Sequence, residues 1–239
     1  MSKPLDAIFF DIDDTLFSTS VFADQARRAA IDAMLRAGLS CARDVALREL
    51  QDVITEFSSN YGSHFDKVLD RIGADAFEGH NRAVIVAAGV VAYHDTKWSK
   101  LKVWDDVYEV LRWLSSKRVM RGIVSAGITI KQAEKVVRLG VLEFLTPSAI
   151  FFTDQVGFSK PNPKLYRRVL QRLRLDPARC LYVGDNPTHD IDPCNAEGWN
   201  TARIRRGGRH ATEDGATQAD YEITDFFALR EILQQDFGL

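Results

Sequence analysis

The sequence predicts an α/β protein: a doubly wound parallel sheet with a small helical domain inserted after its first strand. Short apolar runs bounded by polar residues recur along the chain, which is typical of strands buried on both faces of a sheet. Helical patterns lie between the later runs. About 80 residues between the first two runs are almost wholly helical in pattern, far more than a crossover between strands needs. This section is therefore an insertion.

The individual elements follow from the same patterns. Strands are predicted at Leu5–Phe10, Val119–Val124, Ala149–Phe152, Cys180–Val183 and Thr201–Ile204. Helices of the sheet core are predicted at Thr129–Leu139, Pro163–Leu173, Pro193–Glu197 and near Phe226–Gln235. In the insertion the clearest helices are Ala23–Leu35, Ala46–Phe57 and Ala83–Tyr93, with glycines between or near their ends. We predict a core of residues 1–16 and 99–239 and a helical domain of residues 17–98.

Charge and composition exclude several classes of protein. The 239 residues include 31 Lys+Arg and 33 Asp+Glu, a formal net charge of −2, which disfavours a nucleic-acid binder that relies on bulk electrostatics. Hydrophobic residues make up 46% and charged residues 27%, as in folded chains and unlike disordered ones. The longest apolar stretch, Ala83–Tyr93, is too short to span a bilayer. We expect neither a nucleic-acid nor a membrane partner.

The termini and cysteines indicate the compartment. Met1–Pro4 leads straight into the first strand without the apolar region of a signal peptide. The three cysteines form no C-x-x-C pair, which favours free thiols in a reducing environment. We expect a cytoplasmic protein, either a monomer or a homodimer.

Polar side chains follow the first four predicted strands, at the edge where open parallel sheets bind their ligands. In strand order these residues are Asp11, Asp13 and Thr15, then Ser125, then Lys160 in the loop beyond the third strand, then Asp185 and Asp190. Two carboxylates about 4 Å apart repel by roughly 4 kcal/mol at an effective dielectric constant near 20, so such a cluster needs a cation. An all-oxygen set suits Mg²⁺, which binds through one or two carboxylates and a substrate phosphate.

The spacing of Asp11 and Asp13 has a chemical meaning of its own. Residues two apart at a strand end project to the same side. One carboxylate can then attack phosphorus while its neighbour handles the proton of the leaving oxygen. Lys160 would neutralise the remaining charge and hold a phosphate oxygen.

These motifs resemble those of a known family. Asp11-Ile12-Asp13-Asp14-Thr15-Leu16, Ser125, Lys160-Pro161 and Gly184-Asp185 with Asp190 resemble the four motifs of the haloacid dehalogenase (HAD) superfamily of Mg²⁺-dependent phosphohydrolases. The motifs occur in order after successive predicted strands, and the resemblance covers nearly the whole chain. The insertion after the first motif is similar to that of the subclass with a helical cap.

The resemblance implies roles for individual residues. Asp11 would be the nucleophile that forms an aspartyl-phosphate, and Asp13 the general acid/base. The Mg²⁺ ligands would be Asp11, the backbone carbonyl of Asp13, and Asp185, with Asp190 a ligand or just behind one. Ser125, Lys160 and the backbone at Ala126 would bind the phosphoryl group. Thr15 beside them is a further candidate substrate contact, and its hydroxyl would also order the loop. Dehalogenases of the superfamily lack the second aspartate, so Asp13 favours phosphoryl transfer.

Three further segments carry weaker signals. Residues 58–65 are polar and aromatic, typical either of a surface loop or of a cap loop that selects the substrate, with Asn60 and His64 as candidate contacts. His94–Lys97 would follow the apolar helix, and a structural role is favoured there. The basic run Arg203–His210 could attract an anionic substrate or a nucleic acid. A solvated loop after an edge strand is favoured, because neither interleaved aromatic residues nor an overall basic excess supports nucleic-acid binding.

The sequence therefore predicts a Mg²⁺-dependent phosphatase that hydrolyses a small phosphorylated metabolite through an aspartyl-phosphate. One alternative is a phosphomutase on the same scaffold, which would differ in the cap. Another is a non-catalytic binding protein that kept the fold, although the presence of both Asp11 and Asp13 disfavours it. Phosphonate hydrolysis is less expected, because it needs a cap lysine and Lys67 is the only lysine of the cap before Lys97.

Overall fold

A computed structural model of the chain describes residues 2–57 and 61–239. The chain divides into two compact units. The sheet unit comprises Met1–Ser20 and Lys102–Leu239, and the helical unit comprises Val21–Leu101. The predicted role of the helical unit as a cap stays a prediction.

The sheet has six strands, all parallel. They are β1 (Ala7–Phe10), β2 (Met120–Ser125), β3 (Ile150–Phe152), β4 (Cys180–Gly184), β5 (Asn200–Ile204) and β6 (Tyr221–Ile223), in the spatial order β3-β2-β1-β4-β5-β6. The predicted doubly wound parallel α/β fold is confirmed. The sixth strand was not predicted, because three residues with an exposed Glu222 at their centre give no apolar run.

Within its described residues, the helical unit contains four α-helices and one short 3-10 helix, Ala74–Phe77. The α-helices are α1 (Thr19–Arg36), which begins in the sheet unit, then α2 (Arg43–Phe57), α3 (His64–Ile72) and α4 (Arg82–Lys100). Its core is an apolar cluster that includes Met34, Leu50 and Ile85, all nearly or fully inaccessible to solvent. Burial of these side chains is the main force that holds such short helices together.

Helix α4 is longer than its apolar stretch, so His94–Lys97 lies inside the helix rather than after it. The His94 ring stacks on Trp98 with centroids 6.4 Å apart, and the Lys97 ammonium lies 4.9 Å from the Trp98 ring. These contacts agree with a structural role for the segment. None of the described helices is long and apolar enough to cross a membrane.

The remaining helices belong to the sheet unit. They are α5 (Asp105–Ser115), α6 (Thr129–Arg138), α7 (Thr153–Val156), α8 (Pro163–Leu173), α9 (Asp192–Ala196) and α10 (Phe226–Gln235). Helix α5 was not predicted, although its buried residues Val107, Val110, Leu111 and Leu114 have the spacing of an amphipathic helix. Helix α7 is a single turn and has no periodicity to detect.

The centre of the sheet is tightly packed around β1, whose four residues are all fully buried. The Phe9 ring packs edge-on against Trp199 with centroids 5.3 Å apart. On the adjacent strand, a Cβ atom at Gly122 would lie 2.4 Å from the Phe9 ring and 2.5 Å from the backbone oxygen of Ala149. Only glycine fits at this position, because the backbone oxygen of Ala149 cannot move aside by a change of rotamer as a side chain can.

We therefore expect Gly122→Ala to lower the free energy of unfolding of the sheet unit by roughly 1–3 kcal/mol, the usual cost of overpacking a core. Urea or thermal unfolding followed by circular dichroism measures this. The control is Gly62→Ala, because nothing lies within 4 Å of the added Cβ there. Equal stability of the two variants would contradict the packing argument.

Candidate active site

The candidate site lies where the order of strands reverses at the middle of the sheet. Successive strands run outwards from β1 through β2 and β3 on one side, and through β4, β5 and β6 on the other. Asp11 directly follows β1, and its backbone N–H donates to Val183 of β4 at 2.9 Å. Asp185 directly follows β4. The register of the two central strands thus brings both carboxylates to the crevice where open α/β sheets bind ligands.

Lys160 lies at the bottom of this crevice. Its Nζ donates to Asp11 Oδ1 at 2.7 Å, to Asp190 Oδ1 at 2.6 Å and to the Tyr182 hydroxyl at 2.8 Å. These contacts use all three N–H groups of the ammonium. The Tyr182 hydroxyl in turn donates to the backbone oxygen of Val124 at 2.7 Å. Tyr182 was not predicted as a site residue, because it lies within an apolar strand run.

The ammonium keeps its charge although only 3% of the side chain is exposed. Burial by itself would lower the pKa of Lys160, but the adjacent carboxylates of Asp11 and Asp190 raise the pKa above its ordinary value. In this arrangement Lys160 bonds to two carboxylates and offsets part of their negative charge. Its predicted contact with a phosphoryl oxygen stays a prediction, and it requires that the ammonium exchange one of its present partners.

Three buried carboxylates surround one point. Oxygen atoms of Asp11, Asp185 and Asp190 lie within 4.8 Å of one another. Burial, reinforced by the charges of Asp190 and Asp11, raises the pKa of Asp185 to about 8. Burial also raises the pKa of Asp11 to about 6, although Lys160 partly offsets this. One ammonium among three carboxylates therefore leaves negative charge uncompensated.

The donor set suits a divalent metal ion. All three groups supply oxygen, the ligand atom that hard divalent cations such as Mg²⁺ prefer, and the surplus negative charge favours a cation. Gly184 leaves room for this cluster because it has no side chain. A Cβ there would lie 2.4 Å from Asp190 Oδ2. The same oxygen accepts from the backbone N–H of Asn186 at 3.2 Å. These contacts hold the Asp190 carboxylate beside Lys160 and Asp11.

Ser125 presents a buried hydroxyl to the crevice. It ends β2 and is 1% exposed, and its Oγ makes no hydrogen bond among the described residues. A buried hydroxyl without a partner costs free energy, so an unsatisfied one at a catalytic crevice suggests a ligand contact. Thr15 Oγ1 is likewise buried and makes no hydrogen bond within the described chain. A loop-ordering bond from Thr15 is therefore not seen there, and its substrate contact stays a prediction.

A cavity of about 230 Å³ opens over these groups. The predicted residues that line it are Asp11, Asp13, Ser125, Ala126, Lys160, Asp185 and Asp190. Unpredicted residues also line it, namely Asp14, Thr19, Asn186, His189, Arg209 and His210. The four motifs, which are far apart in the sequence, thus meet at one cavity.

The two predicted contacts in the insertion remain predictions. Asn60 lies outside the described residues. His64 begins α3, and its ring lies edge-on to Tyr61 with centroids 5.5 Å apart.

The basic run after β5 differs from the predicted solvated loop. Strand β6 pairs with β5, so β5 is not the edge of the sheet. Arg203 is 4% exposed and donates to the backbone oxygen of His210 at 2.9 Å. Arg206 pairs with Asp106, and its guanidinium lies 4.4 Å from the ring of Trp104. Much of this run therefore organises the protein's own loop, and only the segment around Arg209 is exposed.

The parallel sheet and the aspartates and lysine at its switch point define a hydrolase of the HAD type. The chain belongs to that family: the model of the haloacid dehalogenase-like hydrolases matches residues 5–198.

Several similar proteins are named as phosphatases. The chain is 41% identical to the glyceraldehyde 3-phosphate phosphatase of Methanopyrus kandleri, over 92% of this chain and 91% of that protein. It is 35% identical to the protein of the same name from Pyrococcus furiosus, over 99% and 96%. Among solved structures, a HAD phosphatase from Thermococcus onnurineus aligns with a TM-score of 0.67 at 23% identity, covering 98% of this chain and all of that one. The structural alignment is evidence for the fold.

The raised pKa of Asp185 predicts how pH affects the metal-free protein. Between its ordinary pKa of 3.8 and about 8, Asp185 holds a proton in the folded protein but not in the unfolded chain. Because the folded state then binds more protons, the free energy of unfolding falls as pH rises through this window. With a chelator present, we expect the melting temperature to fall from pH 5 to pH 8 and Asp185→Asn to flatten that fall. Differential scanning fluorimetry across this range measures both.

The control for this experiment is Asp105→Asn, which alters an exposed carboxylate of the same unit. It should follow the wild-type profile. If the profiles of wild type and Asp185→Asn run parallel, Asp185 is not the group that carries this pH dependence.

Proposed function

We propose that the protein is a Mg²⁺-dependent phosphatase that hydrolyses a small phosphorylated metabolite, with Asp11 as the nucleophile. The observation that carries the proposal is the single cavity lined by Asp11, Asp13, Ser125 and Lys160. It combines two carboxylates two residues apart in the sequence, a buried cation, and a hydroxyl that no other described residue bonds. Phosphoryl transfer depends mainly on positioning and on neutralisation of charge, and these groups supply both.

In the first half-reaction, a carboxylate oxygen of Asp11 attacks the phosphorus atom. Asp13 enters this step in its protonated form. The bond from phosphorus to the leaving oxygen breaks, and Asp13 gives that oxygen its proton. The phosphoryl group is then bound to Asp11 as an acyl phosphate. Ser125 donates a hydrogen bond to one phosphoryl oxygen, and Lys160 holds another after it releases one of its present partners.

In the second half-reaction, water attacks the same phosphorus atom. Asp13, now ionised, takes a proton from the water, and the bond between phosphorus and Asp11 breaks. Inorganic phosphate leaves, and both aspartates return to their starting states. Lys160 stays beside Asp11 throughout and stabilises its carboxylate as the leaving group.

We assign the metal site to Asp11, Asp185 and Asp190, with the backbone carbonyl of Asp13 as a further ligand. Mg²⁺ bound there would neutralise the negative charge that develops on the transferred phosphoryl group. The close packing of the three carboxylates and the raised pKa values of Asp11 and Asp185 support this assignment.

For the substrate, we propose a phosphorylated three-carbon metabolite, with glyceraldehyde 3-phosphate the first compound to test. The names of the relatives at 41% and 35% identity support this choice. They also favour hydrolysis over the mutase alternative. The proposal includes a cap role for the helical unit, in which Asn60 and His64 contact the substrate.

Purified protein with Mg²⁺ should release phosphate from glyceraldehyde 3-phosphate, and Asp11→Asn should reduce kcat/KM by about 10³-fold or more, as loss of a nucleophile does. The matched control is Asp105→Asn, which should retain wild-type activity. Acid quenching during turnover should trap labelled phosphate on wild type and none on Asp11→Asn. A wild type that is inactive on a panel of phosphate monoesters, or an Asp11→Asn variant with full activity, would show the proposed function to be wrong.

Ser125→Ala should separate activity from stability. Without the hydroxyl, one donor to the transferring phosphoryl group is lost, and we expect kcat to fall by about 10²–10³-fold. The melting temperature should stay equal or rise, because the change removes a buried hydroxyl that has no partner in the described chain. Steady-state kinetics and thermal unfolding of the same preparation test this pair of outcomes. A clear loss of stability would mean that Ser125 has a structural role instead.

A further inference from the structure

Asp13 is bound on one side by a lysine that the four motifs do not contain. Lys135 Nζ on α6 lies 2.7 Å from Asp13 Oδ1 and 2.7 Å from Oδ2, so one ammonium contacts both carboxylate oxygens. Thr19 Oγ1 donates to Oδ1 at 3.2 Å, and Gln132 Nε2 lies 3.4 Å from Oδ2. The Asp13 side chain is therefore fixed from two directions.

The pair is placed where it can affect catalysis. The side chain of Lys135 is 15% exposed and that of Asp13 is 32% exposed, so the ion pair is less screened than one on the open surface. Within the described residues, Asp13 provides the only carboxylate within 4.0 Å of the Lys135 ammonium. Asp13 lines the cavity, whereas Lys135 does not. Lys135 therefore acts on the cavity through Asp13.

Helix α6 explains how Lys135 reaches this position. Gln132 and Lys135 are three residues apart and therefore lie on the same face of the helix. Gln132 is buried, and its Nε2 donates to the backbone oxygen of Ala126 at 2.6 Å. One helix face thus contacts both the backbone beside Ser125 and the carboxylate of Asp13.

We propose that Lys135 is a positioning residue for the proton-transfer step. It holds the Asp13 carboxyl group in the place from which the group protonates the leaving oxygen. This inference rests on the proposed function, in which Asp13 is the general acid. Positioned proton transfer contributes about 10²–10⁴-fold to rate, and it depends on a separation within hydrogen-bond reach.

The leaving group provides a readout that a merely structural role would not change. When the bond from phosphorus to oxygen breaks, an alkoxide needs the proton of Asp13, whereas p-nitrophenolate is stable enough to leave without one. A misplaced Asp13 therefore slows attack on alkyl phosphates far more than attack on p-nitrophenyl phosphate. The ratio kcat/KM reports the steps up to this bond cleavage for both substrates.

The test compares Lys135→Met with Lys131→Met, which alters an exposed lysine one turn earlier on α6. For Lys135→Met we expect kcat/KM to fall about 10-fold or more on glyceraldehyde 3-phosphate, and by less than about threefold on p-nitrophenyl phosphate. Lys131→Met should change neither value. Lys135→Arg, which keeps the charge and can pair with the carboxylate, should restore most of the activity on the alkyl phosphate.

A double-variant cycle completes the test. In an Asp13→Asn background, Lys135→Met should add little further loss, because the two residues act as a unit. Equal losses on the two substrates, or full additivity with Asp13→Asn, would overturn the inference while leaving the proposed function intact. A wild type that is inactive on the whole panel of phosphate monoesters would instead refute the proposed function, and this inference with it.

Discussion

The repulsion among buried carboxylates at the switch point of the sheet constrains most of what surrounds it. Asp11, Asp185 and Asp190 cannot share so small a volume in ionised form unless positive charge lies among them. Lys160 supplies part of that charge, and burial strengthens each of its bonds. The remaining imbalance is the reason why this crevice favours a divalent cation. A site that is unfavourable when empty binds its cation more tightly, at the expense of stability in the metal-free protein.

The scaffold is shaped to hold this arrangement. The fully buried β1 fixes Asp11, and the absence of a side chain at Gly184 leaves room for the Asp190 carboxylate. The Tyr182 hydroxyl on β4 accepts a hydrogen bond from Lys160 and donates one to the backbone oxygen of Val124 on β2. Three adjacent strands are therefore tied to one ammonium. A change in the strand register would separate the charges, which links the integrity of the sheet directly to the chemistry.

The sequence was sufficient for most of the fold and for the centre of the site. Apolar runs bounded by polar residues mark β1, β2 and β4, and parallel strands bring the residues at their carboxyl ends together, so Asp11, Ser125 and Asp185 could be placed without coordinates. Strand β6 and helix α7 could not be predicted in this way, because β6 has an exposed glutamate at its centre and the single turn of α7 has no apolar periodicity. Helix α5 is different, since its apolar spacing was present in the sequence and should have indicated a helix.

The site residues that were missed share a physical cause. Tyr182 lies within an apolar run, where a tyrosine is usually part of the core, and nothing in the sequence marks its hydroxyl as a partner of Lys160. Lys135 resembles any lysine on the polar side of a helix, and its partner Asp13 is 122 residues away. Ion pairs between distant segments depend on how the helices and strands finally pack. The place of a motif that directly follows a strand can be inferred from the sequence alone. The sequence therefore indicates candidate reacting groups more readily than it indicates the groups that position them.

The two aspartates of the first motif differ in their surroundings, and this difference supports a division of labour between them. Asp11 is almost wholly buried beside Lys160, in a place suited to attack on a bound phosphoryl group. Asp13 is about a third exposed and is held by Lys135 at the side of the cavity, where a leaving group can reach it. Two neighbouring carboxyl groups in different surroundings can act one as a nucleophile and the other as an acid, although they belong to the same residue type. Each aspartate is paired with its own lysine, so either role can be altered without direct loss of the other.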